Sequence, residues 1–236
     1  MKETTGEIKS NSGRGNPKPA YERLYNRKIK RCLDLGLSVI GLTMAIPLYL
    51  VIAVAIVADT GFPVFYRPLR GGYQGKPFRI CKFRTMVQDA DKIGGGTTAL
   101  NDSRITRVGH ILRKTKLDET ANLLNILSGT MSFIGPRPEL LQYTDRYQGR
   151  EKEILMVRPG VTDFSSLEFI NLDEIVGPGN ADEMYEKHVL KRKNRLRVRY
   201  AETVSFQTDA YLFAATLWKV LKKQLSLCCG GKGSRN

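Results

Sequence analysis

Histidine is almost absent from this chain, with two in 236 residues, His110 and His188. Neither has a partner spacing for a metal site or a nucleophile–histidine pair, so both read as structural or surface residues. Cysteine is scarce too: Cys32, Cys81, Cys228 and Cys229. No pair has zinc spacing, and the vicinal Cys228–Cys229 pair does not build a disulfide framework, which points to reduced, cytosol-facing thiols. Acid is in deficit, 23 Asp and Glu against 38 Lys and Arg, for a net charge of +15 and a pI near 9.8. A basic surface of this kind favours anionic partners, whether phospholipid headgroups, nucleotide phosphates or nucleic acid. No internal repeat is present.

Charge itself is missing from one stretch. The 27 residues Cys32 to Ala58 carry one charge, Asp34, and none follows from Leu35 to Ala58. As a straight helix, such a run is long enough for a ~30 Å hydrocarbon core. It is too long for the apolar part of a signal peptide and starts too far into the chain. Pro47 lies in its middle and removes a backbone donor, dividing it into halves too short to cross alone. Both flanks are basic: Arg23, Arg27, Lys28, Lys30 and Arg31 before it, then Arg67, Arg70, Lys76, Arg79, Lys82 and Arg84, with no acid between Asp59 and Asp89. Basic flanks hold both ends in the cytoplasm. A re-entrant helix turning at Pro47 satisfies these residues; a kinked helix crossing once is the alternative they leave open.

The chain divides into a disordered basic head (1–20), the membrane element (21–59), a catalytic-size domain (60–223) and a flexible tail (224–236). Within the domain, PVFYRPLRGGYQGKPFRICKF reads as a β-hairpin around a glycine-rich loop. Residues 88–103, with Gly94-Gly95-Gly96, read as a mobile loop. Helical patterns follow at 104–113, 116–127, 180–199 and 201–223, the last with Phe206, Ala210, Leu212, Phe213, Leu217 and Val220 along one side. The fold class is therefore mostly α with a short β-hairpin.

LRKTKLDETANLLNIL holds the best acidic pair. Thr115 suits an N-cap with Asp118 three residues on, and Leu117, Ala121, Leu124 and Leu127 form an apolar stripe. Asp118 and Glu119 can simply complement the helix dipole; the same placement also suits an ionised nucleophile beside phosphate. Arg137 is held between Pro136 and Pro138, which suits either a rigid turn with a solvated guanidinium or a bidentate phosphate ligand. Lys82, Arg84 and Arg113 are further candidates for phosphate. KRKNRLRVRY (191–200) lacks interleaved aromatics and reads as a solvated or headgroup-facing helix, so no nucleic-acid partner is expected.

Five ordered segments, KRCLDL leading into the apolar run, KFRTM, RITRVGHILRKTKLDE, NILSGTMSFIGPRPE and RPGVTD, make the chain similar to the bacterial sugar transferases known as small monotopic phosphoglycosyl transferases. The likeness runs from about Lys30 to about Leu221. It implies a re-entrant helix-break-helix membrane element beneath a small cytosolic catalytic domain, on the cytoplasmic face of the bacterial inner membrane. The implied reaction moves a phospho-sugar from a UDP-sugar to a polyprenyl (undecaprenyl) phosphate and releases UMP, as a first membrane step of surface glycan or exopolysaccharide assembly. The implied roles are Asp118 as nucleophile forming an aspartyl phospho-sugar, Glu119 assisting by proton transfer or by placing Mg²⁺, and Lys82, Arg113, Arg137 and Arg158 binding phosphate. Pro47, Pro136 and Pro138 would be structural, and anionic lipids would be partners. The chain departs from the family pattern at KLDETANL, where SLDELPQL is usual, at Ile46-Pro47, where some members have Ser-Pro, and at FSSLEFIN after RPGVTD. A different class of reading, a non-catalytic membrane-anchored scaffold for anionic lipid or nucleic acid, explains the apolar run and the charge but has no use for Asp118-Glu119.

The basic flanks predict that single cysteines replacing Lys9 and Lys223, in a chain without its native cysteines, react with an impermeant maleimide only after the cells are permeabilised. Labelling of either from outside would mean the chain crosses.

Overall fold

The computed structural model describes residues 18–90, 102–170 and 181–229, with the side chains of 181, 182 and 223–229 excepted. Most of the head, Gly94-Gly95-Gly96 and the tail with the Cys228 and Cys229 side chains lie outside the described residues. After a wide turn at Tyr25–Ile29, the apolar run forms α1, Lys30–Thr60. Helix α1 continues through Pro47, so the expected interruption is instead a proline inside a continuous helix. A proline deletes one backbone hydrogen bond, and Pro47 faces outward, away from the contacts that hold the helix on either side of it.

Those contacts all belong to one domain. The Arg31 guanidinium donates to the Leu127 carbonyl (2.9 Å) at a helix C-terminus, where a cation suits the dipole. Asp34, the lone acid of the run, is buried and accepts the Phe133 amide at 3.1 Å. Past Pro47, the Tyr49 hydroxyl donates to the Thr120 carbonyl (2.6 Å). Ile52 and Ile56 enter a core with Cys81, Phe83, Leu112 and Ala121. Asp59 accepts the Val108 amide (3.1 Å), in the first turn of the next helix, where an anion is favoured. At its start α1 is locked by Asp209, which forms a buried ion pair with Lys30 and accepts from Tyr25 and Tyr200, both at 2.7 Å. The opposite face, including Leu37, Ile40, Met44, Leu50, Val51 and Val54, is exposed.

The expected hairpin forms in two pieces. Strand β1 (Phe65–Tyr66) pairs with β4 (Lys82–Phe83), and β2 (Leu69–Arg70) with β3 (Phe78–Arg79), all antiparallel. Strand alternation sends Phe83 into the core, stacked on Phe65 and edge-on to Tyr49, and turns Lys82 the other way. Helix α2 is Arg107–Thr115, capped by Thr106, whose hydroxyl accepts the Gly109 amide. Thr115 is not the expected N-cap. Its hydroxyl bonds back to the Ile111 carbonyl (2.8 Å), which keeps it inside α2, and Lys116, left-handed at φ 59°, ends the helix. A tight turn, Leu117–Ala121, then leads into α3, Asn122–Ser128. Asn125 of α3 accepts the Cys81 amide (2.7 Å) and donates to the Arg79 carbonyl (2.8 Å), sewing the hairpin to the helix.

Strand β5 (Ser132–Ile134) pairs in parallel with β6 (Gly160–Thr162). Short helices α4 (Leu141–Thr144) and α5 (Phe164–Glu168) follow their strands, and α6 (Ala181–Met184) leads through a wide turn to α7 (Lys191–Thr203) and α8 (Phe206–Cys229). Helix α7 corrects the expected solvated basic helix: Lys193, Leu196, Arg197 and Tyr200 are buried. At i, i+3, i+4 and i+7 they form one helix face, and the Arg197 charge is matched by Glu139 (2.7 Å). Helix α8 does carry the expected apolar stripe, but Phe206, Ala210, Phe213, Leu217 and Val220 face outward, and Leu212 alone of that set is buried.

The β5–β6 pair depends on two glycines. A Cβ on Gly160 would stand 2.1 Å from the Gly135 nitrogen, and one on Gly135 2.3 Å from the Arg158 carbonyl oxygen. Gly160→Ala should therefore part the strands, lowering stability by about 1–3 kcal/mol, as overpacking does. Thermal denaturation measures it, and an unchanged midpoint would mean the strands can separate freely.

Candidate active site

Asp118 and Glu119 sit in the turn between α2 and α3, and the left-handed Lys116 sets its direction. A non-glycine residue in that conformation costs on the order of 1 kcal/mol, and it carries the dyad away from the α2 axis to face β4 and the loop after β5. From β4, the Lys82 ammonium reaches a Glu119 oxygen at 3.0 Å. From Gly135-Pro136-Arg137-Pro138, the Arg137 fork grips both Glu119 oxygens, with Nη1 to Oε2 at 2.9 Å. The fixed guanidinium expected at this turn is therefore present, and its fork is engaged by Glu119. Arg113, one α2 turn before the dyad, is oriented by a 2.9 Å bond from Nε to the Thr85 hydroxyl.

The two carboxylates differ in state because they differ in partners. Burial by itself would raise the Glu119 carboxyl, but Arg137 and Lys82 overcome it and hold the group well below the usual carboxylate range. Asp118 is pushed up, first by burial and then by the Glu119 charge, with Lys82, Arg113 and Lys116 opposing. Burial also pulls Lys82 below its usual value, opposed by Glu119. Asp118 is 8% exposed, and its Oδ1 has no hydrogen-bond partner among the described residues. The same holds for the buried Oδ1 of Asn122 one turn later. Native proteins rarely leave buried oxygens unsatisfied, and both residues line the cleft.

Three clefts meet here. A polar one of about 300 Å³ is lined by Lys82, Arg113, Lys116, Asp118, Glu119, Asn122, Arg137, Pro138 and Lys193. A second, about 440 Å³ and mostly apolar, shares Lys116, Glu119, Asn122, Arg137 and Lys193 with it. A third, about 240 Å³ beneath the hairpin, meets Lys82, Arg113 and Asp118 from the other side. Cations outnumber the two carboxylates of the dyad, which suits a diphosphate.

Arg158 is not among the residues lining these three clefts, whereas Arg84 lines the third. Arg158 donates to the Gly129 carbonyl (3.1 Å) and stacks 5.1 Å over the Tyr73 ring. Arg84 clamps the end of α1 through the Thr60 carbonyl (3.1 Å) and hydroxyl (2.7 Å). Both are thus engaged by backbone, although the buried Nε and Nη1 of Arg84 have no hydrogen-bond partner among the described residues. Pro136 orients the loop from behind: its carbonyl accepts the Gly160 amide (3.0 Å). The sequence analysis missed Asn122 and Lys193. Lys193 donates to the Tyr185 hydroxyl (3.1 Å) over that ring, and burial pulls its ammonium down to about 8. Its signal was the i, i+3, i+4, i+7 face with Leu196, Arg197 and Tyr200, hidden by the charge of the segment.

The family described as Bacterial sugar transferase matches residues 25–223. A Bacillus subtilis protein provisionally named undecaprenyl-phosphate N-acetylgalactosaminyl 1-phosphate transferase is 42% identical over 51% of this chain and 67% of its own length. The Escherichia coli UDP-glucose:undecaprenyl-phosphate glucose-1-phosphate transferase is 36% identical over 60% of this chain and 31% of its own. An uncharacterized sugar transferase of Bacillus subtilis is 32% identical over 82% of this chain and 87% of its own length. The chain thus spans about a third of the Escherichia coli relative, and most of the last. It belongs to the bacterial sugar transferase family, which sets the scaffold reading aside.

Arg137→Lys keeps the charge and loses the fork. Losing one charge-assisted bond, about 1.5–3 kcal/mol, should lower kcat by roughly 10- to 150-fold in a folded protein. Unchanged turnover would make Arg137 a turn residue only.

Proposed function

We propose that this member of the bacterial sugar transferase family moves a sugar 1-phosphate from a UDP-sugar to a polyprenyl phosphate, undecaprenyl phosphate in bacteria, and releases UMP. The observation that carries the proposal is the buried, unpartnered Asp118 oxygen in a cleft lined by Lys82, Arg113 and Arg137. The relatives' names include both glucose and N-acetylgalactosamine, so the reading stops at UDP-sugars as a class. Its place is the cytoplasmic face of the membrane, in the first lipid-linked step of surface glycan assembly.

Asp118 attacks the β-phosphorus. The Asp118 oxygen–phosphorus bond forms, the bridging oxygen–phosphorus bond breaks, and UMP leaves with that oxygen. A polyprenyl phosphate oxygen then attacks the same phosphorus and frees Asp118. Covalent catalysis of this kind divides one displacement into two. Burial, and then the charge of Glu119, raise Asp118 and make its ionised form a more basic nucleophile. Arg137 and Lys82 keep Glu119 ionised, which favours an electrostatic part over proton transfer. Lys82 and Arg113 lie where phosphate charge redistributes.

Among the described residues no group of three or more His, Cys, Asp or Glu side chains could hold a metal. One free carboxylate oxygen with substrate phosphates is nevertheless a donor set Mg²⁺ accepts. Asp118 would hold the ion through one carboxylate oxygen and keep the other for attack, since the Glu119 oxygens are engaged by Arg137 and Lys82. Bound there, the ion would neutralise diphosphate charge.

Both ends of α1 are tied to one basic domain, through Arg31 and Asp34 at one end and Asp59 at the other. A bilayer separating the ends would drag that domain into hydrocarbon. The exposed faces of α1 and α8 suit insertion from one side, so re-entrant or interfacial seating is favoured over a crossing.

Asp118→Asn tests the mechanism. Activity should fall to background, and intact-mass spectrometry with UDP-sugar alone should show a phospho-sugar adduct on the wild type that the variant lacks. Turnover near the wild-type rate would reduce Asp118 to a structural residue. Stability should move the other way. The native state holds the Asp118 proton to higher pH than the unfolded chain, so its contribution falls as pH rises through the window between the usual carboxylate value and the raised one. At pH 7 Asp118→Asn should melt no lower than wild type. In the wild type, the acidic limb of the rate profile should lie above the usual carboxylate range.

A further inference from the structure

We infer that the apolar cleft of about 440 Å³ is the subsite for the first prenyl units of the lipid acceptor, with its phosphate at the end shared with the polar cleft. The inference rests on the proposed function and adds where one of the two substrates lies. Its walls are Leu123 of α3, Phe133 of β5, Val161 of β6, Leu167 of α5, and Phe169 and Ile170 just beyond. A sugar nucleotide is polar nearly throughout and gains little from such walls, whereas a prenyl chain gains from each apolar surface covered. Lys116, Arg137 and Lys193 stand at the other end, beside Glu119, so the cleft is charged where an anionic headgroup belongs and apolar where a tail belongs.

Its position agrees. Leu123 lies against Gly41 of α1, where a Cβ would meet it at 3.4 Å. The Phe133 amide is bonded to Asp34 of α1. The wall contributed by α8 includes Val220, among the exposed Leu217, Trp218 and Leu221. Two of the cleft's walls thus rest on α1 and one is supplied by α8, the two helices that expose apolar faces. Glu119 and Arg137 line both clefts, so a phosphate seated at the shared end lies beside the dyad, as the second displacement requires.

The test uses two variants of the full chain in detergent or nanodiscs, with UMP release followed while UDP-sugar and undecaprenyl phosphate are varied separately. Val161→Phe fills the cleft. Val220→Asp places a charge on its wall from an exposed helix position that should not disturb folding, and its KM is read relative to Leu217→Asp, which puts the same charge on the exposed face of α8 outside the cleft lining. Val161→Phe and Val220→Asp should each raise KM for undecaprenyl phosphate tenfold or more and leave KM for the UDP-sugar within twofold. A rise confined to the UDP-sugar, or no rise for Val220→Asp over Leu217→Asp in a folded protein, overturns the assignment and leaves the proposed function standing. A wild type that releases no UMP from any UDP-sugar overturns the proposed function, and the assignment with it.

Discussion

The structure depends on α1 being held by the same domain at both ends. Its polar residues are few, and their placement matches the helix termini they meet. Arg31 lies at the C-terminus of α3, Asp59 at the N-terminus of α2, and Asp34 on the edge of β5. Lys30 is held by Asp209 of α8, which Tyr25 and Tyr200 also grip. These contacts fix one stripe of α1 inward, and its other face has apolar side chains that no part of the described structure covers. A helix so divided is a wall of the domain on one side and leaves an apolar face suited to lipid on the other. The turn into α3 and β5, which frame the candidate site, are thereby tied to α1.

Around the dyad, charge is arranged so that two adjacent carboxylates differ. Glu119 is surrounded by Arg137 and Lys82 and stays ionised. Asp118, with one oxygen unpartnered, is raised by burial and by its neighbour. Separating the states of paired acids through their surroundings is a general way to assign them separate chemical parts. The rigidity behind this is backbone rather than side chain. The close approach of Gly135 and Gly160 aligns β5 with β6 and sets the Pro136-Arg137-Pro138 turn, and the left-handed Lys116 aims the dyad. Behind them, the buried Arg197–Glu139 pair fixes the residue following that turn, so Arg137 is anchored from both sides.

What was legible in the sequence was whatever rests on short-range pattern. The apolar run, its basic flanks, the hairpin, the helices and the ordered segments of the family could all be read in one dimension. So could Asp118, Glu119, Lys82, Arg113 and Arg137 as candidates, because those segments hold them, and the structure brings the five to one cleft. Thr115 misled, because a hydroxyl that can cap a following helix can also bond back into the preceding one, and only the turn at Lys116 decides between them. What Arg158 and Arg84 meet could not be read, because a guanidinium near a motif looks the same whether it meets phosphate or a carbonyl. Residues 191–200 misled because charge normally marks exposure, and burial of Arg197 requires Glu139, 58 positions away.

The sequence by itself determined that the chain has a long apolar helix, a small α-rich domain and an acidic dyad within basic motifs, since periodicity, charge and local spacing are properties of neighbours along the chain. Tertiary structure alone decided which faces of α1 and α8 stay exposed, that Glu119 engages the Arg137 fork, and that Lys193 and Asn122 reach the cleft. Each of these depends on which distant segment arrives opposite, and a buried charge or an uncovered stripe has meaning only once its partner is in place.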